Sequence, residues 1–238
     1  MIYEKVNIHK YGAPELMTED GVLDSHLKMF FPYATRASTG GGDYTEVSYY
    51  EDEEKTKLCL KLRAQRQSNY NGERGLRVTI YHSASSISGY TDFEKRWYED
   101  LYVIKDDENN VISLVLLDGS KNPILVVHKD TNENTCCLVC VSVSGSGHSR
   151  FGVYNGSYYD VTTSTNKPFA VHANFARGQS VSLAKLPTND SNNSRSKNVF
   201  LTPFTPYYPS SSGGLIMDTY KINDSTYLMN QIMAVQLT

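Results

Sequence analysis

Apolar and polar residues alternate most regularly from residue 57 onward. "TKLCLKLRAQ" sets Leu58, Leu60, Leu62 and Ala64 on one side and Lys57, Cys59, Lys61 and Arg63 on the other. That period of two predicts a half-buried strand. "YTEVSYY" leads into it across the solvated turn "EDEE". After "NYNGERG", the stretch "LRVTIYH" alternates again, with Leu76, Val78, Ile80 and His82 on one side. "TDFEKRWYEDLYVIK" is the one helix candidate. Thr91 and Glu94 match a capping box, and Phe93, Trp97 and Leu101 recur every four residues. The expectation is a short helix or turn that becomes a strand near Leu101.

"VISLVLL", "PILVVH" and "TCCLVCVSV" follow as three apolar runs separated by the short polar links "DGSKN" and "KDTNEN". Links of this length favour antiparallel hairpins, so a meander is expected. The runs are apolar on both faces, which predicts a sheet covered on both sides. "VYNGSYYDVTT", "FAVHANF" and "QSVSLAKL" supply further short strands. "PTNDSNNSRSKN" reads as an exposed polar loop. "VFLTPFTPYYPSSSGG" carries three prolines and is extended without being a central strand. "LIMDTYKINDSTYLMNQIMAVQL" is expected to be two strands around the "NDS" turn and a closing apolar strand.

Residues 1–43 break the pattern. Leu16, Met17, Val22, Leu23, Met29, Phe30 and Phe31 are apolar anchors without periodicity among turn formers, ending in the joint "STGGGD"; such a segment is expected to lie along another surface, of its own domain or of a neighbouring subunit. The predicted organisation is an extended N-terminal arm over 1–43 and a β-rich domain over 44–238, with a possible subdivision near 187–199. The fold class is mainly β: an antiparallel β-sandwich or barrel-like domain with at most one or two short helices.

Composition supports the β reading. Charged residues are 21% of the chain, Ser, Thr and Asn are abundant, and there are 18 tyrosines. The net charge of −3 comes with no basic tract, so no direct nucleic-acid binding is predicted. No apolar run is long enough for a membrane helix, and the start lacks the layout of a secretory signal. Synthesis in a cytoplasm, with reduced thiols, is the expectation.

The candidate chemistry is thin. Cys137 and Cys140 form a C-x-x-C pair beside Cys136. On a strand, Cys136 and Cys140 share a face and Cys137 takes the other, and "CLVC" has no glycine to turn both thiols toward one ion. These are expected to be structural cysteines, and no metal or cofactor is predicted. The six histidines show no ligand spacing. "SGSGHS" is not a nucleophile elbow, "STGGGD" is not followed by G-K-[ST], and "EDEE" lacks the layout of a calcium loop. A hydrolase recruiting His148, Asp130 or Asp160 is the third reading weighed. No catalytic residue is assigned and no small-molecule substrate is expected.

An anchor-rich arm, a β-meander with polar and tyrosine-rich loops, and the C-terminal stretch "FLTPFTPYYPSSSGGLIMDTYKINDSTYLMNQIMAVQL" stand together. In this the chain resembles structural proteins of tailed bacteriophages or phage-like particles, of the head, neck, tail or baseplate type. The resemblance implies a non-enzymatic virion subunit, made in a host cytoplasm, that forms homo-oligomers and contacts other virion proteins. Interface candidates are Leu16, Leu23, Met29, Phe30 and Phe31 of the arm, laid over a neighbour, and the tyrosines Tyr158, Tyr207 and Tyr208. Removing residues 1–43 is then expected to leave a folded monomer that fails to assemble. The alternative is a carbohydrate- or receptor-binding β-sandwich module, of tail-fibre or lectin-like type, in which those tyrosines stack on sugar rings.

Overall fold

The computed structural model describes residues 1–8, 17–38, 44–56, 58–67, 72–81, 90–119, 121, 123–130, 135–143, 149–153, 157–160, 184–189, 194–201, 217–229 and 233–238. The predicted strand "FAVHANF", His82, and most of "VFLTPFTPYYPSSSGG" lie outside these residues.

The fold is mainly β, with antiparallel sheets. In chain order the elements are β1 (Ile2–Asn7), α1 (Val22–Leu27), β2 (Tyr33–Ser38), β3 (Tyr44–Tyr50), β4 (Leu58–Gln67), β5 (Gly72–Tyr81) and β6 (Tyr90–Asp106). They continue as β7 (Val111–Asp118), β8 (Pro123–Asp130), β9 (Thr135–Val143), β10 (Ser149–Val153) and β11 (Ser157–Asp160). The last are β12 (Ala184–Asn189), β13 (Ser194–Leu201), β14 (Asp218–Ile222), β15 (Ser225–Met229) and β16 (Met233–Gln236). Strands β2 to β11 pair in sequence order in one large sheet, with β1 added on β6. A second sheet runs in the order β12-β13-β16-β15-β14.

β6 organises the large sheet. This 17-residue strand pairs with β5 over Tyr90–Trp97 and with β7 over Tyr98–Asp106. β1 takes the second edge of the later stretch, from Asn7 opposite Asp100 to Ile2 opposite Lys105. The helix expected over "TDFEKRWYED" is therefore a strand. A spacing of four between Phe93, Trp97 and Leu101 fits a period of two as well as a helical turn. The dense aromatic and β-branched residues from Trp97 to Ile104 favour the extended backbone. The register slips at Glu99, where β6 has one residue more than β7.

Side chains from β3 to β8 of this sheet meet in one core. Val47, Tyr49, Leu60, Leu62 and Leu76 come from β3 to β5, and Leu101, Val103, Leu114, Leu116, Leu125 and Val127 from β6 to β8. The alternation read in β4 holds for Leu60 and Leu62, while Lys61 and Arg63 sit half-buried on the other face and ion-pair with Glu46. Cys59 is buried as well, because a register slip opposite Tyr49 and Tyr50 makes it the extra residue. The residues alternating with this core in β6 to β8 are also buried, among them Ile104, Val115 and Val126. β13 lies against β7 and β8, and β12 against β9, so the second sheet covers that face. The predicted two-sided burial of the meander is present in both β7 and β8.

The N-terminal segment belongs to the same core. Ile8, Met17, Leu23, Leu27, Phe30 and Phe31 are all buried in it. Lys129 of β8 donates to the Phe30 carbonyl at 3.3 Å, tying the segment to the meander. Each such apolar side chain stabilises by about 1.5–3 kcal/mol on burial. Of the two surfaces expected for these anchors, the structure shows this chain's own interior. The stretch read as a polar loop, "PTNDSNNSRSKN", departs from expectation. Pro187–Asn189 belong to β12 and Ser194–Asn198 to β13, paired with two register slips. The closing hairpin is as read, with Ile222 opposite Ser225 around Asn223 and Asp224.

Candidate functional site

β1 is one of three edge strands of the large sheet among the described residues, with β2 and β11. Five of its six residues are exposed. Ile2 and Tyr3, which point to opposite faces, are 73% and 41% exposed. β1 is bonded to β6 on one edge, and among the described residues nothing pairs with its other edge.

The orientation of its backbone groups follows from one bond. The Ile8 N–H donates to the Glu99 carbonyl at 3.0 Å, continuing the β1–β6 register. In an antiparallel pair the bonding direction alternates from residue to residue. Val6, Glu4 and Ile2 therefore turn their N–H and C=O toward β6, and Tyr3 and Lys5 turn theirs outward. An edge of this kind is a template for another strand.

Lysines commonly guard such edges by projecting charge outward. Here Lys5 folds back over β6. Its Nζ lies 2.8 Å from Asp100 Oδ2 and 5.6 Å from the centroid of the Tyr102 ring. The Asp100 hydrogen bond, outweighing desolvation, raises the Lys5 ammonium above the usual lysine range. Tyr3 stacks beside Tyr102 with centroids 6.4 Å apart. The edge of β14 is different. Its two-residue hairpin turns Thr219 and Lys221 outward. The Thr219 N–H is already taken by Asp218 Oδ1 at 2.8 Å, and Lys221 is exposed.

Two buried polar clusters lie elsewhere. Asp24, fully buried on α1, accepts the Tyr49 phenol at 2.8 Å and pairs with Lys28 at 3.0 Å and with Arg36. This joins α1 to β2 and β3. Burial first, then the Asp24 charge, pushes the Tyr49 phenol well above the usual tyrosine range. In the meander, Ser113 Oγ and His128 Nδ1 are 3.0 Å apart, both side chains buried on neighbouring strands. Asp130 is buried at the end of β8, and Asp160 ends β11 opposite Arg150. His148 lies outside the described residues. Among the described residues no group of three His, Cys, Asp or Glu side chains could hold a metal ion. Cys136, Cys137 and Cys140 lie on β9, with Cys136 opposite Lys129, Cys137 opposite His128 and Cys140 opposite Gly152.

The sequence-predicted interface residues do not converge. Leu23, Phe30 and Phe31 are buried in the core and Met29 packs against it. Tyr158 sits on β11 with its backbone opposite Gly152. Leu16, Tyr207 and Tyr208 lie outside the described residues. The open strand β1 was missed because residues 1–43 were read as irregular. The signal was present in "IYEKVNI", where Ile2, Val6 and Ile8 share one face. No family model matches this chain, and neither does any curated protein or any solved structure.

Proposed function

We propose that this chain is a structural subunit of a viral particle, a head, neck, tail or baseplate component of tailed-phage type, that acts through subunit–subunit contacts. The observation that carries the assembly part is β1, a strand exposed on both faces whose outer edge pairs with nothing among the described residues. The particle type rests on the resemblance in style. A mainly β chain whose meander is buried on both faces suits this role, since rigid subunits keep their edges in register. Sedimentation velocity of the purified full-length chain tests the reading. Dimers or larger species at micromolar concentration are expected, and a monomer throughout would overturn it.

A second reading has one observation in its favour. Tyr3 and Tyr220 expose large aromatic surfaces, and Tyr3 stands next to the Lys5–Asp100 pair. That combination suits stacking on a sugar ring with hydrogen bonds to its hydroxyls. Saccharide capture on a glycan array by the wild-type chain, lost in Tyr3→Ala, would favour a carbohydrate-binding module.

A further inference from the structure

We infer that β1 is a homotypic contact: it pairs antiparallel with β1 of a second copy about a two-fold axis through Glu4. This deepens the assembly reading and rests on it.

The geometry admits few registers. In an antiparallel pair related by a two-fold axis normal to the sheet, the central residue lies opposite itself. With Tyr3 at the centre, Ile2 lies opposite Glu4 of the other copy. With Lys5 at the centre, two ammonium groups face each other and Glu4 lies opposite Val6. With Glu4 at the centre, Ile2 lies opposite Val6 of the second copy, twice. Tyr3 then lies opposite the second copy's Lys5, also twice. These are two aliphatic pairs on one face and two aromatic–cation pairs on the other. The outward N–H and C=O groups of Tyr3 and Lys5 then bond to each other across the axis. The 73%-exposed Ile2 and the 41%-exposed Tyr3 are both covered. The single unfavourable element is Glu4 against its own copy at the axis. It makes the contact reversible and singles out this register for testing. A two-fold contact closes on itself, so larger assemblies add a second, different contact.

Three full-length variants test the proposal. Glu4 has its bonding groups toward β6, so across the new interface it occupies a non-hydrogen-bonded position, where the two Cα atoms approach to about 4.5 Å. That is within disulfide reach. Mild oxidation of Glu4→Cys is expected to give a covalent dimer on a non-reducing gel, and wild type under the same conditions is expected to give none. Glu4→Gln removes the like-charge pair and is expected to tighten the dimer by about two- to fivefold. Tyr3→Pro deletes an outward N–H, leaves the β6 bonds intact and is expected to abolish the dimer while the chain still folds. If wild type oligomerises but Glu4→Cys gives no covalent dimer and Tyr3→Pro still assembles, the β1 contact is wrong and assembly uses another surface. If wild type is monomeric throughout, the assembly reading fails and takes this contact with it.

Discussion

Asp24 shows how much one side chain holds in this protein. Its carboxylate is fully buried and receives the Tyr49 phenol of β3 and two cations, Lys28 just after α1 and Arg36 of β2. Tyr49→Phe removes one charge-assisted hydrogen bond and is expected to cost about 1.5–3 kcal/mol in urea unfolding. Asp24→Ala leaves Arg36 and Lys28 without their counter-ion. Because both cations retain some solvent, the expected loss is about 2–3 kcal/mol, below the full range for breaking a buried pair. Tyr49 also sets an alkaline limit. Its folded pKa lies above the unfolded value, so its contribution is complete below the unfolded pKa of about 10 and is lost as pH rises beyond it. Glu46 sets an acid one. Desolvation raises its pKa, but the hydrogen bonds from Arg63 and Lys61 outweigh this and hold it below the usual range. Its contribution is present above the unfolded pKa and fades as pH falls through the folded one. The stability difference between wild type and Glu46→Gln should therefore shrink on acidification below about pH 4.3, measured by urea midpoints at successive pH values. None of these partners could be read from the sequence. Asp24, Arg36 and Tyr49 follow no motif, and pairing of β2 with β3 brings them together.

At the scale of elements, strands were legible where at least one face was apolar and the run was long. Leu60 and Leu62 in β4 and the runs of β7 and β8 are examples. Legibility failed for three physical reasons. In β6 a spacing of four satisfied two periods at once. In residues 1–43 the strand, helix and strand are six residues each, too short for a period to declare itself. In β12 and β13 the residues from Pro187 to Asn189 and from Ser194 to Asn198 are mostly polar, and their order comes from pairing within the second sheet. The N-terminal elements give a clear prediction. A chain lacking residues 1–43 loses six buried anchors from the shared core and is expected not to fold, which circular dichroism and solubility would show. A chain lacking only residues 1–7 keeps those anchors and is expected to fold with reduced stability.

For the whole molecule, one core joins the N-terminal segment to β3–β8 of the large sheet, and the second sheet is fastened to the meander at Lys121, whose carbonyl accepts the Met217 N–H at 2.9 Å. Trp97, the only tryptophan, lies on β6 at the junction. Its fluorescence and the far-ultraviolet signal are expected to change together on heating, as one cooperative transition. Separate midpoints would show that the second sheet melts by itself. The mainly β class and the covered meander were foreseeable from composition and doubly apolar runs. The candidate edge was not, because an edge is open only by virtue of which strands the rest of the chain leaves unpaired.

The pairing of β1 with β6 also has a consequence in time. Asn7 meets Asp100 and Ile2 meets Lys105, so each residue of β1 leaves the ribosome 93 to 103 residues ahead of its partner. At about 5–20 residues per second this is a delay of roughly 5–20 s. For that interval the nascent strand has no template within its own chain, although its sequence is already committed to one. Chains growing side by side on one messenger would each present this waiting strand to the other, so pairing between copies could begin before either chain is complete.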